Sequence, residues 1–581
     1  MHELAVWGPN ARKVSVKVDN CVYPMFSPNG TGWWRAVVKT AGNGTDYAFL
    51  LNDDPTPYPD PRSPWQPNGV HGASRLYDHT AFTWTDDRWL ASPLDSAVIY
   101  ELHLGTFTAE GTFEAAIARL DYLVDLGIRH VELMPVAEFP GRHGWGYDGV
   151  ALFAVRQLYG GPDGLKRFVD AAHLRGLAVL LDVVYNHFGP VGNYTGKFGP
   201  YLTDNHRTPW GDAVNFEDAG SDEVRRFFCD NALMWMRDYH IDGLRLDAVH
   251  AFVDRSAIHF LEQLSTEVAA LSAALGRCLV LIAESNLNDP AIVTPREAGG
   301  YGIDAQWSDD FHHALFTVLH AEQGKGYYSD FGSLEKLAKS LSRVFVYDGA
   351  YSRYRGHRHG RPVEGLSAHR FLGYIQNHDQ VGNRVTGDRL EHIVGMDRAA
   401  AAAGIVFTAP FIPMVFQGEE FAASTPFQYF ADHDDPEMAK SISEGRRRKF
   451  AAFGWSPDKI PDPEKMETFE GSKLNWSELD EGGHAEMLKW YRRLIHLRRT
   501  SSSLSDGDLG HIKVVVDEHK RWLIMDRGRV RVLWNLSDKP AEFENPQHFH
   551  LLLASRDDIQ VTMDKVLLPP DGLAILCGDT Q

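Results

Sequence analysis

Four short segments each combine an apolar run with charged or imidazole side chains at its end. Asp247, Glu284 and Asp379 stand at the ends of three of these runs. Parallel strands buried on both faces read as continuous apolar runs, and in a closed (β/α)8 barrel the carboxyl ends of the strands form one face. The three carboxylates are therefore predicted to meet in one pocket, where they suit acid/base or nucleophilic chemistry on a neutral, polyhydroxylated substrate. The segments are DVVYNHF (182–188), DGLRLDAVH (242–250), LIAES (281–285) and IQNHDQ (375–380).

Basic side chains accompany these carboxylates. Arg245 lies two residues before Asp247, so both side chains face the same side of the predicted strand. An Arg–Asp pair at this spacing can be a structural ion pair, but its place on the fourth predicted strand favours the site. His187 and His378 could be buried core histidines; their position beside the carboxylates favours the site for them as well.

A repeating pattern of strand and helix surrounds these segments. Amphipathic helical stretches such as 113–127, 164–176 and 223–240 separate the strands, as in a (β/α)8 barrel. The runner-up is an open doubly wound sheet, which usually needs a Gly-rich phosphate turn after its first strand, and the sequence has none there. The predicted strands are 97–107, 130–136, 177–187, 242–249, 279–285, 302–307, 371–379 and 413–420.

The flanking regions alternate in the manner of β-strands. Residues 1–92 contain short strands between Asn, Gly and Pro turns and predict a small β-sandwich. Residues 93–500 form the predicted barrel domain, and the connection 188–222 is long enough to predict a lid. Residues 501–581 predict a C-terminal antiparallel β domain. The fold class is therefore α/β, with a barrel between two β domains.

Composition excludes several kinds of partner. The net charge of −20 and the lack of a basic tract disfavour nucleic acid or an anionic membrane. Without a stretch of 18 apolar residues or a signal sequence, the expected compartment is the cytoplasm. The four cysteines lie far apart and are interpreted as buried free thiols. There is no Asp-rich cage for Ca²⁺ and no zinc spacing, so neither a metal nor a cofactor is expected.

The four opening segments together resemble, in order, the four sequence regions of the α-amylase family of glycoside hydrolases and transglycosylases. The resemblance covers about 93–500. It implies an immunoglobulin-like N-terminal module, a catalytic barrel with a lid and a C-terminal β domain. It also implies retaining chemistry in which Asp247 is the nucleophile, Glu284 the general acid and Asp379 a stabiliser of the transition state.

The same resemblance implies a set of substrate contacts. Tyr147 would stack beneath the sugar that His187 and His378 hydrogen-bond, although Tyr147 could also simply pack its loop. A second group would lie on the leaving-group side of the cleaved bond. The full set of implied substrate contacts is Tyr147, His187, Arg245, His250, Trp307, Asp309, Asp310 and His378.

Further segments resemble one subgroup of that family, among them QPNGVHG (66–72), AQWSDDFHH (305–313) and QGEEFAASTPF (417–427). This likeness implies hydrolysis of the α-1,4 bond that joins a maltooligosaccharide to a terminal trehalose unit. The implied substrate is maltooligosyltrehalose, supplied by a maltooligosyltrehalose synthase in the same pathway. One alternative is a glycogen branching or debranching enzyme on the same scaffold. The other is a non-catalytic glycan-binding protein, which the three intact carboxylates disfavour.

Overall fold

Eight parallel strands close into a barrel at the centre of the chain. The computed structural model describes residues 2–320, 326–451 and 455–578. Neighbouring barrel strands follow one another in chain order, and the eighth pairs with the first. The predicted fold class is confirmed. In order, the barrel strands are Ile99–Leu102, His130–Leu133, Ala178–Val183, Gly243–Leu246, Val280–Ala283, Ala305–Trp307, Phe371–Gly373 and Ile412–Phe416.

Several barrel strands are shorter than the apolar runs that predicted them. The run 97–107 is a strand only over Ile99–Leu102 and then turns into the helix Leu104–Phe107. The run 371–379 is a strand over Phe371–Gly373, and its last two residues begin the helix His378–Gly382. A barrel strand only has to cross the core, so the residues past its end belong to the connections that build the catalytic face.

The barrel interior is apolar in one half and charged in the other. Its apolar cluster includes Ile99, Leu180, Ile282, Leu372 and Met414, all buried. Helices cover the outside of the barrel, as in other α/β barrels. In the described ranges, the α-helices are Leu104–Phe107, Phe113–Ile117, Leu120–Leu126, Gly161–Leu174, Thr195–Phe198, Ser221–Asp238, Phe260–Leu275, Asp309–Leu319, Leu334–Arg343, His378–Gly382, Leu390–Val394, Met396–Thr408, Pro436–Ala451, Met466–Glu470 and Gly482–Thr500.

β-Sheets flank the barrel at both ends of the chain. At the N-terminal end, one sheet has two strands and the other has four. At the C-terminal end, sheets of five and three strands enclose a cluster that includes Phe543, Phe549 and Val566. Met1 and residues 579–581, at the ends of the predicted β domains, lie outside the described residues. The N-terminal strands are His2–Trp7, Val14–Val18, Cys21–Pro24, Trp33–Val38, Asp46–Leu51 and Ser74–Arg75, and the C-terminal ones are Ile512–Asp517, Trp522–Arg527, Val530–Asn535, Ala541–Glu544, His550–Ala554, Gln560–Val561, Lys565–Leu568 and Leu573–Cys577.

Three antiparallel strand pairs interrupt the barrel repeat. Leu202–Thr208 pairs with Gly211–Val214 inside the predicted lid 188–222. Asp348–Ser352 pairs with His357–Gly360 between the sixth and seventh barrel strands, where no strand was predicted. The third pair joins Ala137–Glu138 to Ala151–Val155 after the second barrel strand.

The cysteines and the helices bear on two expectations from composition. All four cysteines are free, but only Cys229 is buried, so the prediction that all four are buried was wrong. Cys21, the first residue of the strand Cys21–Pro24, and Cys278, two residues before the strand Val280–Ala283, are both exposed. None of the helices in the described ranges carries an apolar stretch long enough to cross a membrane.

Candidate active site

A cleft of about 720 Å³ opens at the carboxyl ends of the barrel strands. Most of the residues that the sequence predicted for the site meet there, although they come from distant parts of the chain. The predicted residues that line the cleft are Tyr147, His187, Asp247, His250, Glu284, Trp307, Asp309, His378 and Asp379.

Arg245 lies beneath the cleft and is fully buried. Its Nη1 donates to Asp182 Oδ2 at 2.7 Å and to Asp247 Oδ1 at 2.9 Å, and its Nη2 donates to Glu284 Oε2 at 2.8 Å. The Trp307 ring centre lies 4.2 Å from the guanidinium carbon, close enough for a cation–π contact. Both terminal nitrogens of its planar fork therefore hold carboxylates, and the contact of Arg245 with substrate stays a prediction.

Asp247 and Glu284 are positioned by the barrel ladder itself. Each follows the last residue of its strand, and their amides donate to Val183 O and Leu246 O, both at 3.0 Å. The amide of Ala248 donates to Glu284 Oε2 at 2.9 Å. Ala248 has a φ of +40°, a backbone strain that non-glycine residues rarely carry and that is typical of functional sites. Two donors thus fix Glu284 Oε2 beside Asp247.

A second network joins His378 to the same group. His378 Nε2 lies 2.7 Å from Tyr147 Oη, and the Tyr147 hydroxyl donates to Asp182 Oδ2 at 2.6 Å. On its other side, His378 Nδ1 contacts Glu101 Oε1. Burial opposes a charge on His378, but the carboxylates of Glu101 and Asp379 outweigh it and raise the pKa of His378 to about 9. The imidazole is therefore a cation at neutral pH.

Asp309 and two histidines of the cleft, His187 and His250, can be uncharged near neutral pH. Burial, followed by repulsion from Glu284, raises the pKa of Asp309 to about 7, and the Tyr374 hydroxyl donates to its Oδ1 at 2.7 Å. Burial lowers the pKa of His187 to about 4 and also lowers that of His250. The cleft thus offers neutral hydrogen-bonding groups as well as carboxylates, which suits an uncharged substrate.

Asp310 is not among the residues that line the cleft, and its contact with substrate stays a prediction. Its Oδ2 accepts from the backbone amides of Val346 and Tyr347 at 2.6 and 2.9 Å, and from Asn288 Nδ2 at 2.9 Å. Asp309 and Asp310 begin a helix, where successive side chains point in different directions. Asp309 therefore faces the cleft, while Asp310 anchors the segment before the hairpin 348–360.

Several cleft residues were missed by the sequence reasoning. Trp210, at the tip of the lid hairpin, stacks on His187 with ring centres 5.0 Å apart and 8° between planes. Tyr327, Tyr328 and Lys449 lie on segments with no strand-end signal. A tryptophan in a predicted lid was a signal for Trp210, whereas the others show none. Within the described ranges, no group of three or more His, Cys, Asp or Glu is arranged to hold a metal ion.

Comparison with known proteins agrees with this geometry. The family description "Alpha amylase, catalytic domain" matches residues 75–206, and a "Domain of unknown function (DUF3459)" matches 507–575. A malto-oligosyltrehalose trehalohydrolase of Rhizobium sp. (strain M-11) is 48% identical over 98% of this chain and 97% of its own.

Two other comparisons bear on the fold and on the alternative activity. The crystal structure of a Salmonella typhimurium protein, provisionally identified as an alpha amylase, superimposes with a TM-score of 0.91 at 35% identity, covering 99% of this chain and 97% of that one. A 1,4-alpha-glucan branching enzyme of Corynebacterium diphtheriae is 30% identical over only 52% of this chain and 46% of its own. The resemblance to the α-amylase family is thus confirmed, and within it the chain belongs to the malto-oligosyltrehalose trehalohydrolase family.

Proposed function

We propose that this protein hydrolyses the α-1,4-glucosidic bond next to the terminal trehalose unit of maltooligosyltrehalose, releasing trehalose and a maltooligosaccharide. The observation that carries the proposal is that one buried guanidinium, that of Arg245, binds both Asp247 and Glu284 at the cleft. Carboxylates that share one guanidinium fit the separation of about 5–5.5 Å found in retaining glycosidases better than the wider spacing of inverting ones.

The proposed reaction has two displacements. Asp247 attacks the anomeric carbon while Glu284 donates its proton to the glycosidic oxygen, so that this carbon–oxygen bond breaks and trehalose leaves. Glu284, now a carboxylate, takes a proton from water, and the water oxygen displaces Asp247 from the anomeric carbon. The maltooligosaccharide leaves with retained configuration, and Glu284 is protonated again.

The other cleft residues are proposed to hold the two sides of the bond. Asp379, about one-third exposed and fixed by Asn383 Nδ2 at 2.9 Å, would bind hydroxyls of the sugar being cleaved, together with His187 and His378. A flat face beneath that sugar would be provided by Tyr147. Three residues would contact the trehalose side: His250, Trp307 and Asp309.

The biological setting is part of the proposal. Because the substrate must carry a terminal trehalose, a maltooligosyltrehalose synthase would supply it. We place both enzymes in the cytoplasm, a setting in which thiols stay reduced, and four free cysteines agree with that.

Product analysis tests the activity. Incubation with maltotriosyltrehalose should release trehalose and maltotriose, since the cleft would cleave the bond that precedes the trehalose unit. Glu284→Gln from the same expression host is the control for contaminating glucosidases. A branching enzyme would instead leave maltotriosyltrehalose intact and change the iodine staining of amylose without new reducing ends, and a glycan-binding protein would change neither substrate.

Trp210→Ala should raise KM for maltotriosyltrehalose about tenfold with little change in kcat. Trp210 is 47% exposed and offers a broad ring face on the lid, and an aromatic ring of this size supplies contact area to a sugar without touching the reacting atoms. Phe26→Ala, which removes an exposed ring on the N-terminal β region, is the matched control and should leave KM unchanged. An unchanged KM in Trp210→Ala would exclude the lid from substrate binding.

A further inference from the structure

Glu101 is a charged residue in the middle of the first barrel strand, and it is almost fully buried. Both of its carboxylate oxygens are used by one neighbour. Oε1 accepts from the Nδ1 of His378, and Oε2 accepts from the backbone amide of His378 at 2.9 Å. A carboxylate that binds both the ring and the backbone of one histidine fixes the orientation of its imidazole.

When the His378 ring carries two protons, the hydrogen bonds from His378 to Tyr147 and from Tyr147 to Asp182 can run in only one direction. Nε2–H then donates to Tyr147 Oη, so the hydroxyl proton of Tyr147 is free to donate to Asp182 Oδ2. The same Asp182 oxygen accepts from Arg245 Nη1. If His378 were neutral with its proton on Nδ1, Nε2 would accept the Tyr147 proton and Asp182 would lose this donor.

We propose that Glu101 is a positioning residue for the hydrolysis: it keeps His378 doubly protonated, so that Tyr147 donates to Asp182 and Arg245 stays divided among Asp182, Asp247 and Glu284. The proposal rests on the function proposed above. Glu101 acts through His378 and touches neither the substrate nor the reacting atoms.

The charges around His378 determine the pH range over which its ring stays doubly protonated. Burial disfavours its cation and Arg245 opposes it, but Glu101 and Asp379 raise the pKa of His378 to about 9. Burial favours the uncharged form of two other titratable groups nearby. Burial lowers the pKa of His103 to about 3, and burial together with repulsion from Glu101 and Asp182 raises the pKa of Glu132 well above its usual value.

The sign of the pH effect follows from these charges. Because the folded pKa of His378 lies above the ordinary value of about 6.5, its stabilising contribution is full below about pH 6.5 and is lost as the pH rises through about 9. The arrangement should fail in the same range, which gives an alkaline limb to the first displacement even when the leaving group needs no proton from Glu284.

Glu132 provides a matched control on the neighbouring strand. Its Cα is paired with that of Glu101, and the residue is fully buried. Within the described ranges, neither of its carboxylate oxygens has a hydrogen-bond partner. Since burial raises the pKa of Glu132 and so favours its uncharged form, Glu132→Gln changes the charge near His378 less than Glu101→Gln, which removes a carboxylate bonded to His378.

The experiment compares kcat/KM for maltotriosyl fluoride, which needs no proton from Glu284 to lose its fluoride, between about pH 5 and about pH 10 in the wild type, Glu101→Gln and Glu132→Gln. We expect an alkaline limb near 9 in the wild type and in Glu132→Gln. In Glu101→Gln the limb should move to about 6.5 or lower, so that kcat/KM at about pH 7.5 falls about tenfold. Glu101→Asp, which keeps the charge, should bring the alkaline limb part of the way back to its wild-type position.

Three results would overturn the proposal. One is a folded Glu101→Gln whose alkaline limb matches that of the wild type, and another is an equal shift in Glu132→Gln. The third is a wild-type profile that does not fall between about pH 8 and about pH 10, which decides the matter even if Glu101→Gln does not fold. A wild type that releases no trehalose from maltotriosyltrehalose at any pH would instead be a failure of the proposed function.

Discussion

Glu284→Gln should leave a folded protein whose kcat for maltotriosyltrehalose is at least about 10³-fold lower, and Asp247→Asn should lose at least as much. The glycosidic oxygen is a poor leaving group without a proton, and Glu284 lies at the cleft with its Oε2 fixed by Arg245 and Ala248. Asp247 lies beside it on the same guanidinium. Amides keep the shape of both side chains but supply neither the proton nor the nucleophile.

A substrate with an activated leaving group separates the two roles. Maltotriosyl fluoride needs no proton to lose fluoride, so Glu284→Gln should still form the glycosyl-enzyme and, lacking a base for water, accumulate it. Intact-mass spectrometry should then show one added maltotriosyl group, and peptide mapping should place it on Asp247. Asp247→Asn should show no added mass.

Glu419→Gln is the control for placing an amide at a buried carboxyl position. Glu419 is buried outside the cleft, and burial raises its pKa to about 8, so it is mostly neutral at pH 7 and Glu419→Gln should keep wild-type kcat. If Glu284→Gln kept activity on maltotriosyltrehalose, or if the adduct formed on another carboxylate, the proposed assignment of acid and nucleophile would be wrong.

The fold was largely predictable because its signals are local. Each of the eight barrel strands lies within or overlaps an apolar run of the sequence, since a strand buried on both faces has no polar side to present. The convergence of Asp247, Glu284 and Asp379 on one cleft followed from that pattern, because parallel strands of a closed barrel end at the same face. Their catalytic roles remain a prediction.

The parts that were missed depend on side-chain direction and on contacts between distant segments. Asp309 and Asp310 are adjacent in sequence, yet a helix start sends one into the cleft and the other towards the amides of 346–347. Arg245 was placed correctly on its strand, but its burial depends on Asp182 and Glu284 meeting it from two neighbouring strands. The lining residues Tyr327 and Lys449 lie on connections, where no periodicity constrains the chain.

Glu101 shows a signal that could have been used. The strand segment IYEL places one carboxylate in an otherwise apolar, buried run. A buried charge must be paired, so its presence predicts a partner even where the sequence leaves that partner unnamed. The partner, His378, is 277 residues away, and only the closure of the barrel brings the two together.

Arg245→Met should both destabilise the protein and abolish turnover. The substitution removes the shared donor from three carboxylates, those of Asp182, Asp247 and Glu284, and leaving a buried charge without its partner costs about 3–5 kcal/mol. Without the fork, nothing holds Asp247 and Glu284 at a common distance, so kcat should fall at least about 10²-fold even at temperatures where the variant is folded.

The loss of stability in Arg245→Met should grow as the pH rises. Burial already raises the pKa of Asp182 to about 7 in the presence of Arg245, which opposes that rise. An acid whose folded pKa is raised binds its proton more tightly in the folded state, so folding weakens as the pH climbs above the ordinary Asp value of about 4. Urea unfolding at about pH 5 and about pH 8 should therefore show a larger difference from the wild type at the higher pH.

Arg156→Met is the matched control for Arg245→Met. Arg156 is also fully buried and pairs with Glu138 at 3.1 Å, but it does not line the cleft or contact the catalytic carboxylates. Both variants should lose stability, while only Arg245→Met should lose kcat among molecules that remain folded. If Arg245→Met kept its kcat, the carboxylate pair would be organised by the barrel ladder alone, and the guanidinium would contribute only to the stability of the fold.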